Sequence, residues 1–582
     1  MLDKYFYNLS VTIVGIIVSI FIFTTVGGLF HIPVNPFFVF IPFICGLCYL
    51  KKQSSENIDF LKQFLILLLI IMISCVVSVF IWDSSSDGRW YHSATLIMLK
   101  NGWLPVYQNF QDFALISNTH PTSAFWGSCY LRLVEIIGAN IYKLTNLLES
   151  AKAVNFIMLS AVFMYSCAVF KEFKTKNKFI PHIYSLIIIL NPICICQWFT
   201  NFIDLHIYFA FTLLVLTITK AEIQKNADKT DLFMFVSSSL ILAMTKFTGC
   251  MYLFIICFVY FIYLILLKRS VKKYIKTVLV IGVLTAITGI SPFYTNLRDY
   301  GNSFFPVSGK NKLIIINNIP VNFENMSKTE RFLRSTFSES VHSMNRTDFE
   351  EYKKAAELKI PFTIRIKSTA YKFYFPDMRI GGFGYLWSGI LLLSLFYLQF
   401  IRFRNRNERN IFWLITAMIL ASTFSNPHCW WARFIPQFWL FPSFTLFFGL
   451  LQEDFKNKSS KILKLSLLYF LTLSVITNSL IVLVQNTQFS LYISHSLKAS
   501  YDWIYADKSP QDKILLMVKP DNEKMPTIDE TIIPHLEEYF GKENIVYVPF
   551  NEEKVKSEEF LPIQIFQVLT QPYYFFKAES RE

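Results

Sequence analysis

Residues 62–92 read KQFLILLLIIMISCVVSVFIW, followed directly by DSSSDGRWYH. Residues 64–82 carry no charged side chain, and an apolar run of about 20 residues is long enough to cross a bilayer as a helix. The next ten residues contain two carboxylates, Asp83 and Asp87, and also Arg89 and His92. The stretch therefore predicts a membrane-spanning helix that ends in a turn rich in reactive side chains.

The composition of the whole chain predicts the same environment. Of its 582 residues, 53% are hydrophobic and only 16% are charged, against roughly 25% charged in an ordinary soluble protein. So few charges cannot cover the surface of a soluble protein of this size. The composition excludes a soluble enzyme, a disordered chain and a fibrous protein.

Thirteen apolar segments are long enough to be spans, which predicts an all-α polytopic membrane protein. They lie at about 9–30, 34–50, 62–82, 151–170, 179–197, 204–219, 231–246, 250–267, 277–294, 384–401, 411–425, 435–451 and 465–485.

Connecting loops that are rich in lysine and arginine alternate along the chain with loops that are nearly free of them. The basic loops are Lys51/Lys52, Lys171–Lys178, Lys220–Lys229, Lys268–Lys276, Arg402–Arg409 and Lys456–Lys464. Because cytoplasmic loops carry the excess of basic residues, the pattern predicts a multi-pass protein of the cell (inner or plasma) membrane with a cytoplasmic N-terminus. Segments 83–150 and 295–383 then lie outside. The net charge of +14 records this topology and gives no support to nucleic-acid binding.

The chain divides into two predicted domains. Residues 1–485 form the transmembrane bundle with both outer segments, and residues 486–582 form a small extracytoplasmic α/β domain. In that tail, Ile514–Val518 and Ile545–Val548 have the pattern of strands, and Thr527–Phe540 that of a helix. Within segment 83–150, residues 93–101 and 123–137 have amphipathic helical patterns.

Asp87 and Asp83 are the candidate catalytic residues, because a carboxylate at the outer end of a span can act as a general base on a substrate anchored in the bilayer. Each could instead cap a helix or be a solvated interface residue. His92 could support the base. His92 and His120 could also ligate a divalent metal, but no tight ligand spacing supports a metal site, and no cofactor is predicted.

Further candidates stand at the outer ends of later spans. The guanidinium of Arg433 suits a phosphate, and Lys246 either binds phosphate or extends to the outer headgroups. Trp431, beside Trp430 and His428, either stacks on a sugar or anchors its span at the interface. Asp204 could line a water-filled cavity on this side of the membrane or cap its helix.

Several motifs follow the Asp87…Tyr91-His92 turn in a fixed order. They are GWLPVY (102–107), HP (120–121), SPFYTN (291–296) running into YGNSFFP (300–306), GGFG (381–384) and WWARFIP (430–436). Over about residues 60–450 their order and sidedness resemble the GT-C superfamily of membrane glycosyltransferases, in particular bacterial members.

The resemblance implies transfer of a sugar from a polyprenyl-phosphate donor to a glycan, lipid or protein acceptor on the outer side of the membrane. Asp87 would be the general base, supported by Asp83 or His92. The implied substrate- and phosphate-binding residues are Arg433, Lys246, Arg89, Tyr91, His120, Trp431 and His428. The alternatives are a polytopic transporter or flippase of lipid-linked glycans without transferase chemistry, and a polymerase or ligase of such glycans.

Overall fold

The computed structural model describes most of the chain. The described residues are 2–175, 177–225, 227–310, 312–313, 320, 323–340, 356–364, 374–451, 458–506, 508–519, 529–557, 559–563 and 574–579.

Helices dominate the first 300 residues. They are α1 (Leu2–Leu29), α2 (Phe37–Gln53), α3 (Asn57–Phe80), α4 (Ser93–Lys100), α5 (Phe110–Ile116), α6 (Pro121–Cys129), α7 (Leu133–Thr145), α8 (Ala153–Glu172), α9 (Ile180–Ile189), α10 (Pro192–Gln197), α11 (Asp204–Gln224), α12 (Lys229–Thr245), α13 (Phe247–Leu266), α14 (Lys272–Thr288) and α15 (Ile290–Tyr300).

The remainder of the chain adds more helices and one sheet. The helices are α16 (Lys328–Thr336), α17 (Trp387–Tyr397), α18 (Arg406–Ser425), α19 (Leu440–Leu450), α20 (Lys458–Tyr505), α21 (Ile532–Phe540) and α22 (Glu552–Lys556). The strands are β1 (Lys513–Val518), β2 (Ile545–Val548), β3 (Leu561–Pro562) and β4 (Tyr574–Glu579).

The predicted all-α membrane bundle is confirmed, since each of the thirteen predicted segments contains a helix. Among the described residues, six helices are long and apolar enough to cross a membrane, or seven if α14 and α15, bent by 61°, form one span. Several segments are therefore shorter or more broken than the sequence predicts. Predicted segment 179–197, for example, is two helices, because Asn191 caps α10 and Pro192 takes its first position.

One stripe of α3 faces away from the protein. Large apolar side chains that are more than half exposed recur every three or four residues along it: Leu61, Leu65, Leu69, Met72, Val76 and Phe80. Such a stripe is the face that a membrane helix presents to lipid. Helix α11 is its opposite, because nearly all of its residues are buried, and it packs against α8 and α12 at the centre of the bundle.

Segment 83–150 departs from the prediction at one point. The pattern over 123–137 is not one helix, because α6 ends at Cys129 and α7 starts at Leu133. The buried guanidinium of Arg132 donates to the carbonyl oxygens of Gly127, Ser128 and Tyr130 at 2.7–3.1 Å. These are terminal carbonyls that an uninterrupted helix would have paired internally.

The tail forms a four-stranded sheet of order β2-β1-β4-β3. Strands β1 and β2 are parallel and joined through α21, whereas β4 runs antiparallel to β1. Both predicted strands are present. The predicted helix Thr527–Phe540 is seen from Ile532, and its first two residues lie outside the described part. Helix α20 continues twenty residues beyond the predicted span end at 485, so a single helix reaches from the bundle into the tail, and β1 starts eight residues after its last residue.

Candidate functional site

Asp83 builds the turn that follows α3. Its Oδ1 accepts the backbone N–H and the hydroxyl of Ser85, both at 2.7 Å, and its Oδ2 accepts the N–H of Asn201 at 2.7 Å. Its side chain is fully buried, and burial raises the pKa of this carboxyl. The structure therefore gives Asp83 turn-forming contacts and does not place it beside Asp87 as a second base.

Gly88 lies directly against the side chains of Asp83 and Ser85. A Cβ at this position would lie 2.3 Å from Asp83 Oδ2 and 2.3 Å from the hydroxyl oxygen of Ser85, so a larger residue would displace those side chains. The Ser85 hydroxyl in turn accepts the N–H of Gly88 at 3.2 Å. The absence of a side chain at Gly88 therefore allows Asp83 and Ser85 to pack this closely within the turn.

Asp87 meets a charged group from a distant part of the chain. Arg433 Nη1 donates to Asp87 Oδ2 at 3.1 Å, while Arg433 Nε lies 3.2 Å from Asp377 Oδ1. Arg433 Nη1 is also 4.0 Å from Asp204 Oδ2, and Lys246 Nζ donates to Asp204 Oδ1 at 2.7 Å. These five residues, called here the Arg433 cluster, bring Asp87 and Lys246 to one place.

The members of the Arg433 cluster differ in their access to solvent. The side chains of Asp87 and Lys246 are 24% and 18% exposed, whereas that of Asp204 is 4% exposed. Arg433 is buried between them. Burial works to lower its pKa, but Asp377, Asp87 and Asp204 outweigh burial and raise it, so the guanidinium stays charged. The cluster thus has a buried ionic centre with one accessible carboxylate and one accessible ammonium group.

Aromatic rings form the floor of the Arg433 cluster. Trp431, which is 2% exposed, donates its indole N–H to Asp377 Oδ1 at 2.8 Å and lies under the guanidinium of Arg433 at 4.7 Å from its ring centre. Lys246 Nζ stands 5.0 Å from the ring centre of Phe434. Such cation–π contacts strengthen when water is excluded. Trp431 is therefore part of the floor and presents no open face to a sugar or to the membrane interface.

Tyr91 stays close to this site. Its ring packs against that of Tyr130 with 6.1 Å between centroids. Burial raises the pKa of its phenol, and the neighbouring Asp87 raises it further, so the phenol keeps its proton and can donate it.

The other predicted site residues have partners elsewhere. His92 Nδ1 is 2.7 Å from Glu135 Oε1 in a buried pair. His120 caps α6 by accepting the N–H of Thr122 at 3.1 Å. Arg89 pairs with Asp529 of the tail.

His428 packs near Phe434, with 6.2 Å between ring centroids, and burial lowers its pKa. Burial makes its neutral form the favoured one, which suits it less to a phosphate than Lys246.

The sequence did not predict Asp377 as a site residue, and it predicted two alternative roles for Asp204. Asp377 had no recognisable signal apart from its position just before the GGFG motif. Asp204 was expected chiefly as a helix cap, but its carboxylate binds Lys246. Among the described residues, no group of three or more His, Cys, Asp or Glu side chains is arranged to hold a metal ion.

No protein-family model matches the chain, and no curated protein sequence is significantly similar to it. One solved structure is similar: ArnT from Cupriavidus metallidurans bound to undecaprenyl phosphate, at 12% identity and a TM-score of 0.44. The match covers 88% of this chain and 97% of that one. At this identity and TM-score the likeness assigns neither a protein class nor a role to any residue of this chain.

Proposed function

We propose that the chain is a membrane glycosyltransferase that moves a sugar from a polyprenyl-phosphate donor to an acceptor hydroxyl at the outer face of the membrane. The observation that carries the proposal is the Arg433 cluster. It sets an accessible carboxylate, Asp87, and an accessible ammonium group, Lys246, on either side of a buried ionic centre where several membrane helices end.

Asp87 is the general base of the proposed reaction. Arg433 holds its Oδ2, and within the described part of the chain its Oδ1 accepts no hydrogen bond. Oδ1 is therefore the oxygen that takes the proton from the acceptor hydroxyl. A base held by one oxygen and open at the other is oriented before substrate arrives. The acceptor oxygen then bonds to C1 of the sugar, and the C1–O bond to the phosphate breaks.

Lys246 is the proposed partner of the departing phosphate, which leaves with the electron pair of that bond. Arg433 is a weaker candidate for this role, because Asp87, Asp204 and Asp377 already neutralise its charge. Lys246 faces one carboxylate, Asp204, and is more exposed than Arg433. A cation aimed at charge that grows in the transition state is the largest single contribution in many enzymes.

A reconstituted assay tests the proposal. The purified protein is placed in proteoliposomes with undecaprenyl-phosphate-linked hexoses and pentoses as donors and with a glycan, a glycolipid or a protein as acceptor. Release of undecaprenyl phosphate and glycosylation of the acceptor are measured by mass spectrometry. We expect release with at least one donor and a rate lower by about 10²–10⁴-fold in Asp87→Asn. Asp112→Asn is the matched control, because Asp112 is an exposed carboxylate of the same outer segment. Unchanged release in Asp87→Asn refutes the proposed base, and lipid-linked sugar crossing the bilayer without any release favours a flippase.

A further inference from the structure

The tail domain contacts the turn that carries Asp87. Arg89, 3% exposed, donates from Nε to Asp529 Oδ2 at 2.8 Å, and its Nη2 contacts the same oxygen. Its Nη1 donates to the carbonyl oxygen of Asp83 at 3.2 Å. The carbonyl oxygen of Arg89 accepts the N–H of Glu530 at 3.0 Å. One side chain therefore joins the start of the turn, the end of the turn and the tail.

A second contact holds the start of the same turn. The ring of His535 in α21 stacks on Trp82, with 3.9 Å between centroids and 8° between planes. His535 Nε2 lies 3.5 Å from Glu149 Oε1, and Glu149 Oε2 accepts the N–H of Asp83 at 3.1 Å. The tail thus reaches Asp83 from one side and Arg89 from the other, and Asp87 lies between those two anchored residues.

Asp529 is itself fixed in orientation. Its Oδ1 accepts the N–H and the hydroxyl of Thr531 at 3.0 and 2.6 Å, which leaves Oδ2 for Arg89. The side chains of Arg89 and Asp529 are 4% and 10% exposed. Such a buried pair contributes little net stability, because desolvation offsets the attraction, but it fixes geometry. Arg89 lies two residues from Asp87 in the sequence, so these contacts support a role of the pair in positioning Asp87.

We infer that the tail domain positions the proposed base: Asp529, acting through Arg89, holds the Asp83–Arg89 turn so that Asp87 meets Arg433. The inference rests on the proposed function and deepens it. Asp529 is a positioning residue that touches no substrate. The inference differs from a tail that only binds acceptor, because a positioning tail changes the chemical step and an acceptor-binding tail changes the affinity for acceptor.

The test compares Asp529→Asn with Asp502→Asn in the same proteoliposome assay, since Asp502 is an exposed carboxylate at the tail end of α20. A displaced catalytic group can cost about 10²-fold in rate. We expect Asp529→Asn to lower kcat between about 10-fold and 10²-fold with little change in the KM for donor or acceptor, and Asp502→Asn to leave both unchanged. A raised KM for acceptor at unchanged kcat overturns positioning in favour of acceptor binding.

The double variant Asp87→Asn/Asp529→Asn gives a readout that general destabilisation would not. If Asp529 acts only through Asp87, its loss adds nothing once Asp87 is replaced, so the double variant should equal Asp87→Asn alone. Independent, multiplying losses overturn the inference. Should Asp529→Asn fold poorly, Thr531→Val removes only the hydroxyl that orients Asp529 and should lower kcat in the same direction by less; an unchanged kcat in that variant overturns the inference too.

These results separate the two proposals. If the wild-type protein releases no undecaprenyl phosphate from any donor, the proposed function is refuted. If wild-type release is strongly lowered in Asp87→Asn but unchanged in Asp529→Asn, only the positioning role of the tail is refuted.

Discussion

Two groups of buried charges, one at each end of the bundle, are built differently. At the end predicted to be cytoplasmic, Glu222 receives Arg269 Nη1 on both carboxylate oxygens at 2.9 and 2.7 Å, and also the hydroxyls of Tyr260 and Tyr263 at 2.9 and 3.1 Å. There one carboxylate is surrounded by donors. In the Arg433 cluster one cation is surrounded by three carboxylates, and its outermost members remain accessible.

The difference shows which buried charges hold the fold and which are available to a substrate. Glu222 is 1% exposed and its oxygens are occupied, so it can only brace α11 against α13 and the loop after it. Lys220 and Asp231 form a similar closed pair at 2.5 Å. Asp87 keeps an open oxygen and partial exposure. An ionic group that is unsaturated and reachable is the one that can bind or react.

The largest effect that would sharpen this comparison is expected at Asp87. Asp87→Asn removes the proposed base and keeps the shape, so kcat should fall by about 10²–10⁴-fold, the usual contribution of general base catalysis. The thermal midpoint of the purified protein should match that of Asp112→Asn. Kinetics of undecaprenyl phosphate release and thermal denaturation in the same detergent check both statements. If Asp87→Asn lowers both stability and activity, Asp87 holds the fold as Glu222 does, and the prediction is wrong.

Lys246 comes next. Lys246→Met removes the accessible ammonium group while keeping an apolar stem over Phe434, and we expect kcat/KM to fall by about 10–10²-fold because the departing phosphate loses its cation. Lys246→Arg should recover much of the loss. Steady-state kinetics with varied donor measure the effect. Equal rates for Lys246→Met and wild type would show that Lys246 only pairs with Asp204.

Glu222→Gln tests the closed end. The amide cannot form an ion pair with Arg269, and we expect the free energy of unfolding to fall by roughly 1–3 kcal/mol. Because Arg269 is partly exposed, water can replace part of the interaction that it loses. Activity per folded molecule should not change. Thermal denaturation and a rate normalised to folded protein are the measurements. A lowered kcat at unchanged stability would break the proposed division between the two ends.

The smallest effect is a pH dependence of tail docking. Burial raises the pKa of Glu530 to about 8. Burial alone would lower the pKa of His535, but the nearby carboxylates of Glu149 and Glu538 outweigh burial and raise it. For both groups the folded state binds more protons than the unfolded chain. Their stabilising contributions are therefore present at low pH and lost as pH rises through the folded pKa values.

Hydrogen exchange of Ile532–Phe540 checks this dependence. After correction for intrinsic exchange rates, we expect less protection at pH 9 than at pH 6. Each group should lower the free energy of opening by less than about 1.4 kcal/mol per pH unit. Glu530 faces the His120 N–H and Asp529, and His535 faces Trp82 and Glu149. In Glu530→Gln the dependence should shrink to the part due to His535. Equal protection of the wild-type protein at both pH values would contradict the prediction.

The sequence placed three members of the Arg433 cluster on one side of the membrane. Asp87, Lys246 and Arg433 each stand at the end of an apolar segment, and the alternation of basic loops predicts that those ends share a face. That reasoning needs no tertiary contact, and the structure brings the three side chains into one cluster. It could not find Asp377, which lies in a long loop whose path depends on packing against Trp431.

The same reasoning does not separate Asp87 from its neighbours in sequence. Asp83 and Arg89 lie beside it along the chain, yet the structure gives both of them other partners. Proximity along the chain does not fix direction: the Ser85–Gly88 turn sends Asp83 toward Asn201 and Asp87 toward Arg433. Asp529 gave no signal at all, because its partner Arg89 is 440 residues away.

The sequence by itself determined that this is a multi-pass helical membrane protein with a small α/β tail. Hydrophobic length and period are local properties, and the scarcity of charge leaves a chain of this size no stable alternative in water. Only the tertiary structure decided which charges meet. A buried ion pair forms where packing brings two distant segments together and excludes water, and neither condition is written in the residues on either side of a single charge.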